Sequence, residues 1–124
     1  MSHAGKVQLT IILTATPDLV AEGERIFKSH AGWMERTHHR EGEKALLSYD
    51  LSKGPELSNP LDPSSEPTGN TQFCLSEVYE SQAGIGDHWQ QAMEGWEDMS
   101  AMIAWAQKCN PVTVHAAGIL HSLW

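Results

Sequence analysis

Val7, Leu9, Ile11 and Leu13 alternate with Gln8, Thr10, Ile12 and Thr14, a period of two that predicts a first β-strand over 7–15. Ile12 puts an apolar residue on the second face, so both faces are partly covered. Thr16-Pro17-Asp18 reads as a helix start, with Thr16 as N-cap and Pro17 at the first helical position. Leu19, Ile26, Phe27, His30 and Met34 then recur at helical spacing to about Thr37, with Glu22, Arg25, Lys28 and Glu35 on the opposite side. Glu41-Gly42-Glu43 is a turn, and 45–51 is a second strand. The segment 52–70 holds four of the six prolines and predicts a long loop.

Residues 73 to 80, FCLSEVYE, return to strand alternation with an anomaly: Glu77 shares its face with Phe73, Leu75 and Tyr79. Ser81 is a candidate cap for a helix over 82–95, weakened by Gly84 and Gly86. A further helical piece over 98–109 carries Met99, Met102, Ile103 and Ala106 on one stripe, and Asn110-Pro111 ends it. A last strand is expected over 112–124.

The order β-α-β-β-α-β over one domain, 1–124, predicts an α+β fold: a ferredoxin-like sheet of four antiparallel strands with its helices on one face. The other face, with Ile12 and further apolar residues, needs cover. A second copy of the sheet supplies it, so a homodimer is expected.

Composition narrows the function. Eight basic and sixteen acidic residues give a net charge of −8, a field that repels phosphate backbones and anionic lipid, so neither nucleic acid nor membrane is an expected partner. The apolar run at the N-terminus is short and alternating, which predicts a cytoplasmic protein without a membrane span. Cys74 and Cys109 are expected as free thiols.

Seven histidines and five tryptophans carry the candidate chemistry. Glu77, held among apolar residues, needs a partner, and His88 near the start of the next helix can supply one. In a Glu–His pair the carboxylate orients the imidazole and the ring accepts a proton. The bland alternative is a structural anchor that pins the strand. His30 and Trp33 lie on or beside the apolar side of the first helix, where they are either core or the wall of a cavity. His115, among small neighbours of the last strand, faces either a cavity or a dimer partner. His38 and His39 are adjacent and point apart, and neither His-x-x-x-His nor paired-Cys spacing occurs, so no metal site is expected. Convergence of His30, His88 and His115 on one ion would need a placement that their spacing does not give.

Three stretches resemble the antibiotic biosynthesis monooxygenase-like family of dimeric α+β barrels. HHREGEKALLSYDL (38–51) is similar to that family's helix end, turn and tyrosine-bearing strand, although Glu41-Gly42 lacks the usual proline; Tyr49 keeps the strand tyrosine. FCLSEVYES (73–81) places Glu77 and Tyr79 at the family's Glu-x-Tyr, and His88 matches its helix histidine. The likeness covers roughly 6–95. The Pro-rich insertion, the glycines of the second helix and the Trp- and His-rich C-terminal third depart from it.

The resemblance implies a small monooxygenase that needs no cofactor and acts on an aromatic or polyketide-like substrate. His88, oriented by Glu77, would deprotonate a phenol, and the carbanion would pass an electron to dioxygen. His30, Trp33, Tyr79 and His115 would shape the pocket, with the 53–70 segment as its lid. The same fold also serves isomerases and haem-binding relatives, and a non-catalytic dimer that binds a small molecule fits the same residues.

Overall fold

A computed structural model describes residues 2–124. β1 (Val7–Ala15) is followed by a 3₁₀ turn (Pro17–Leu19), α1 (Val20–Thr37), a hairpin of β2 (Leu46–Leu57) and β3 (Pro67–Tyr79), α2 (Gln82–Gly95), α3 (Met99–Gln107) and β4 (Val112–Gly118). The strands form one antiparallel sheet in the order β2-β3-β1-β4. Three α-helices and this sheet make an α+β fold compatible with the ferredoxin-like arrangement. Among the described residues no helix is long and apolar enough to cross a membrane.

The alternation of β1 sets the layers. Leu9, Leu13 and Ala15 are wholly buried, and they meet Phe73, Leu75 and α1's Ile26 and Phe27 in one core. Each large apolar side chain among these contributes about 1.5–3 kcal/mol by leaving water. Trp105 of α3 reaches under α1, where its indole N–H donates to the Leu19 carbonyl at 2.9 Å. Only glycine fits at position 23, because a Cβ there would lie 2.4 Å from the Trp105 ring.

Several elements differ from expectation. The 52–70 loop is mostly strand: β2 and β3 run on together, pairing Lys53 with Phe73 and Pro55 with Thr71, and only 58–66 forms the connection. Pro55 is tolerated because β2 is the sheet's edge, and Pro67 because it opens its strand. Asn59 and Asp62 close the tip by accepting backbone N–H groups two residues on, from Leu61 and Ser64.

Thr16 makes no capping bond to the backbone; its hydroxyl goes to Asp18, and the 3₁₀ turn intervenes before α1. On α3 the most buried residue is Trp105, and the expected apolar stripe is not buried throughout, since Ile103 is 42% exposed. β4 stops at Gly118, and 119–124 follow without regular structure.

Candidate functional site

Period two answers the question raised by Glu77. On β3 it pairs with Leu9 of β1 on one side and Tyr49 of β2 on the other, so the three form one row across the inner face of the sheet. Its carboxyl is wholly buried. Tyr79, two residues along and therefore on the same face, donates its hydroxyl to Glu77 Oε1. Oε2 has no hydrogen-bond partner among the described residues.

α2 closes over this row. Ser81 caps it, accepting the Ala83 N–H at 3.3 Å, as its sequence position predicts. Gly84 is the residue that lets α2 come close: a Cβ there would stand 2.7 Å from the Tyr79 ring and 2.9 Å from the Lys44 carbonyl oxygen. One turn later His88 points inward, buried, with its Nδ1 3.9 Å from Glu77 Oε1. That separation exceeds a hydrogen bond. The ring is held instead by His38, whose Nε2 lies 2.9 Å from His88 Nδ1. Thr37 Oγ1 holds the other side of His38 at 3.0 Å.

α1 supplies the second histidine. His30 is buried, and its Nδ1 lies 2.9 Å from the Tyr49 hydroxyl. Trp33 and Trp96 stack with centroids 5.7 Å apart and border the His30 and His88 rings. One ligand-competent atom from each of His30, Glu77 and His88 lies within 4.8 Å of the other two.

Burial dominates the electrostatics. It pushes the Glu77 carboxyl up to about 7, against the Tyr79 hydrogen bond that pulls it down. It holds His30 down to about 4, and the charge of His38 adds to the effect. His88 is lowered to about 3 by burial, and by the neighbouring histidines after that. His38 is lowered by burial, with Asp87 opposing. The Tyr49 and Tyr79 phenols are raised, first by burial and then by the Glu77 charge. At neutral pH the cluster therefore holds uncharged imidazoles around a carboxyl that is changing its protonation state.

Two spaces adjoin the cluster. A small cavity of about 40 Å³ is bordered by His30, His88, Trp89, Trp96, Met99 and Met102. A larger groove of about 330 Å³ runs between α1 and the β2 edge, lined by Met34, Glu35, His38, Arg40, Leu47 and Tyr49. His38 and Tyr49 thus face the groove and bond to the buried histidines behind it.

The expected residues fare unequally. Glu77, Tyr79, His88, His30 and Trp33 come together. His115 does not: it is exposed, and its Nε2 accepts the Trp89 indole N–H at 2.9 Å. A bulge explains this, since His115 and Ala116 both stand opposite Leu9, with Ala116 at φ 53°, and alternation is broken there. Glu77 takes the place beside His30 and His88 that the three-histidine reading reserved for His115. No residue of 53–70 lines the groove. Sequence reasoning does not place His38 or Tyr49 in this cluster. Tyr49's strand register was the available signal, whereas His38, just past the last turn of α1, has none. Both cysteines are free, Cys109 buried and Cys74 half-buried.

No protein-family model matches this chain, and no curated protein matches it.

Proposed function

We propose that this chain is a small-molecule enzyme that takes a proton from an acidic aromatic substrate, a phenol or hydroquinone, held in the groove beside Tyr49 and His38. The observation that carries this reading is the row of polar groups leading from that groove inward: the Tyr49 hydroxyl lies 2.9 Å from His30 Nδ1, and His30 lies within 4.8 Å of the Glu77–His88 pair. A groove of about 330 Å³ suits a substrate of one or two rings.

The roles within the pair exchange relative to the expectation from sequence. A general base works best with a pKa near the working pH, and that is Glu77, at about 7, rather than His88, held at about 3. Tyr49 and His30 pass the proton, and His38 and His88 hold the cluster's shape. The chain resembles, in Tyr49, Glu77, Tyr79 and His88, the cofactor-independent members of the antibiotic biosynthesis monooxygenase-like family. In that chemistry the substrate carbanion then gives an electron to dioxygen. An acceptor sealed from solvent also favours returning the proton to a different carbon, which would make the protein an isomerase.

The proposed working unit is a homodimer joined through the outer sheet face. Ile12 and Val112 pair there across β1 and β4, and Val114 follows on the same face, exposed by 36%, 59% and 55% respectively.

The test is oxygen uptake by metal-stripped protein with a panel of hydroquinones and anthrones, beside Tyr49→Phe. Uptake that falls at least about tenfold in the variant supports the relay. Product rearrangement without uptake selects the isomerase, and neither activity with any substrate removes the catalytic reading.

A further inference from the structure

The three groups at the centre of the cluster divide their polar atoms in the same way. Glu77 gives Oε1 to the Tyr79 hydroxyl and leaves Oε2 unpartnered among the described residues. His30 engages Nδ1 with Tyr49, and His88 engages Nδ1 with His38. Each group is thus oriented by a neighbour through one atom and keeps another in reserve. We infer that His30, Glu77 and His88 form a binding site for one divalent first-row transition-metal ion.

Two imidazoles and a carboxylate select such an ion over magnesium or calcium, which prefer all-oxygen ligand sets. Bonds of about 2.1 Å put neighbouring ligand atoms about 3.0–3.4 Å apart. One ligand-competent atom of each residue lies within 4.8 Å of the other two, so side-chain adjustments of up to about 1.8 Å bring such a set to bonding separation. Tyr49, His38 and Tyr79 are the kind of outer partners that fix ligand orientation at metal sites.

The orphaned oxygen supplies the independent argument. Protonating Glu77 removes its charge but leaves Oε2 with no partner, whereas a cation satisfies both charge and lone pair. A small cavity of about 40 Å³ borders both His30 and His88.

The inference rests on these donor atoms and not on the groove chemistry. An ion on Glu77 takes the lone pair that the relay needs, so the proton abstraction proposed above belongs to the metal-free form.

The experiment is titration of metal-stripped, full-length protein at pH 7.5 with Co²⁺, followed by visible absorption, then displacement by Zn²⁺ in a calorimeter. Saturation at one ion per chain is expected, with affinity lowered at least about tenfold in Glu77→Gln and also weakened in Tyr49→Phe, which leaves every ligand in place. His39→Ala, at an exposed histidine, should bind as the wild type does. Should Glu77→Gln fail to fold, Tyr49→Phe carries the comparison alone. Absence of stoichiometric binding, or wild-type affinity in the Glu77 and Tyr49 variants, would overturn the inference and leave a water as the partner of Oε2.

Discussion

Replacing Glu77 by glutamine removes one titrating group, while the amide oxygen can still accept from Tyr79 and the side chain keeps its length. The magnitude follows from the carboxyl's two environments. It titrates near its ordinary 4.5 when the chain is unfolded and at about 7 when folded. Between those values the native state holds a proton that the unfolded state has released, so wild-type stability falls with rising pH and the loss is complete above about 7.

At about 1.4 kcal/mol per pH unit, the gap between 4.5 and about 7 amounts to roughly 3 kcal/mol. His30 and His88 act in the opposite sense. Their folded values are depressed, so the stability they contribute is lost as pH falls from their ordinary 6.5 toward about 4 and about 3. They are present in both proteins and largely cancel in the difference. Urea unfolding at several pH values from 4 to 8 therefore isolates Glu77. Glu77→Gln should gain on the wild type as pH rises, by up to roughly 3 kcal/mol in total. A difference that stays flat would refute the reasoning, because it would mean that Glu77 releases its proton at the same pH in the folded and the unfolded chain.

The glycines of α2 make a matched pair. Gly84→Ala should destabilise by about 1–3 kcal/mol, since the new methyl meets the Lys44 carbonyl and the Tyr79 ring, while Gly86→Ala, with nothing near it, should stabilise by about 0.5–1 kcal/mol. Urea midpoints decide both, and equal effects would contradict the close approach of α2. In NMR titrations, the His30 and His88 rings should stay neutral until about pH 4 and about pH 3; a midpoint at 6.5 for either would contradict burial as the controlling influence. Val112→Lys, on the exposed outer sheet face, should convert the proposed dimer to a monomer in light scattering. A wild type that is already monomeric at high concentration would remove the dimer.

Much of this arrangement was legible because strands repeat every two residues. Parity alone put Glu77 and Tyr79 on the face of Phe73 and Leu75, and Ser81 marked where the helix bearing His88 begins. Parity failed in two kinds of place. His115 sits at a bulge, where one extra residue on β4 breaks the alternation, and no residue type announces that break. The Pro-rich 52–70 segment read as loop because proline is costly inside a sheet. The cost disappears at an edge strand, and which strand is the edge is a property of the whole sheet. His38 was beyond reach for a related reason. It follows the last turn of α1, and only the packing of α1 against α2 brings its ring to His88.

The central claim is that a proton leaves a groove-bound substrate for the buried cluster, and anaerobic solvent exchange tests it most directly. Metal-stripped protein is incubated in D₂O with an anthrone, whose C10–H is acidic, without oxygen, and deuterium is followed at that carbon. Exchange well above the buffer rate in the wild type, lost in both Glu77→Gln and Tyr49→Phe, is the predicted result. Exchange that survives in both variants, or equals the buffer rate throughout, would contradict the account.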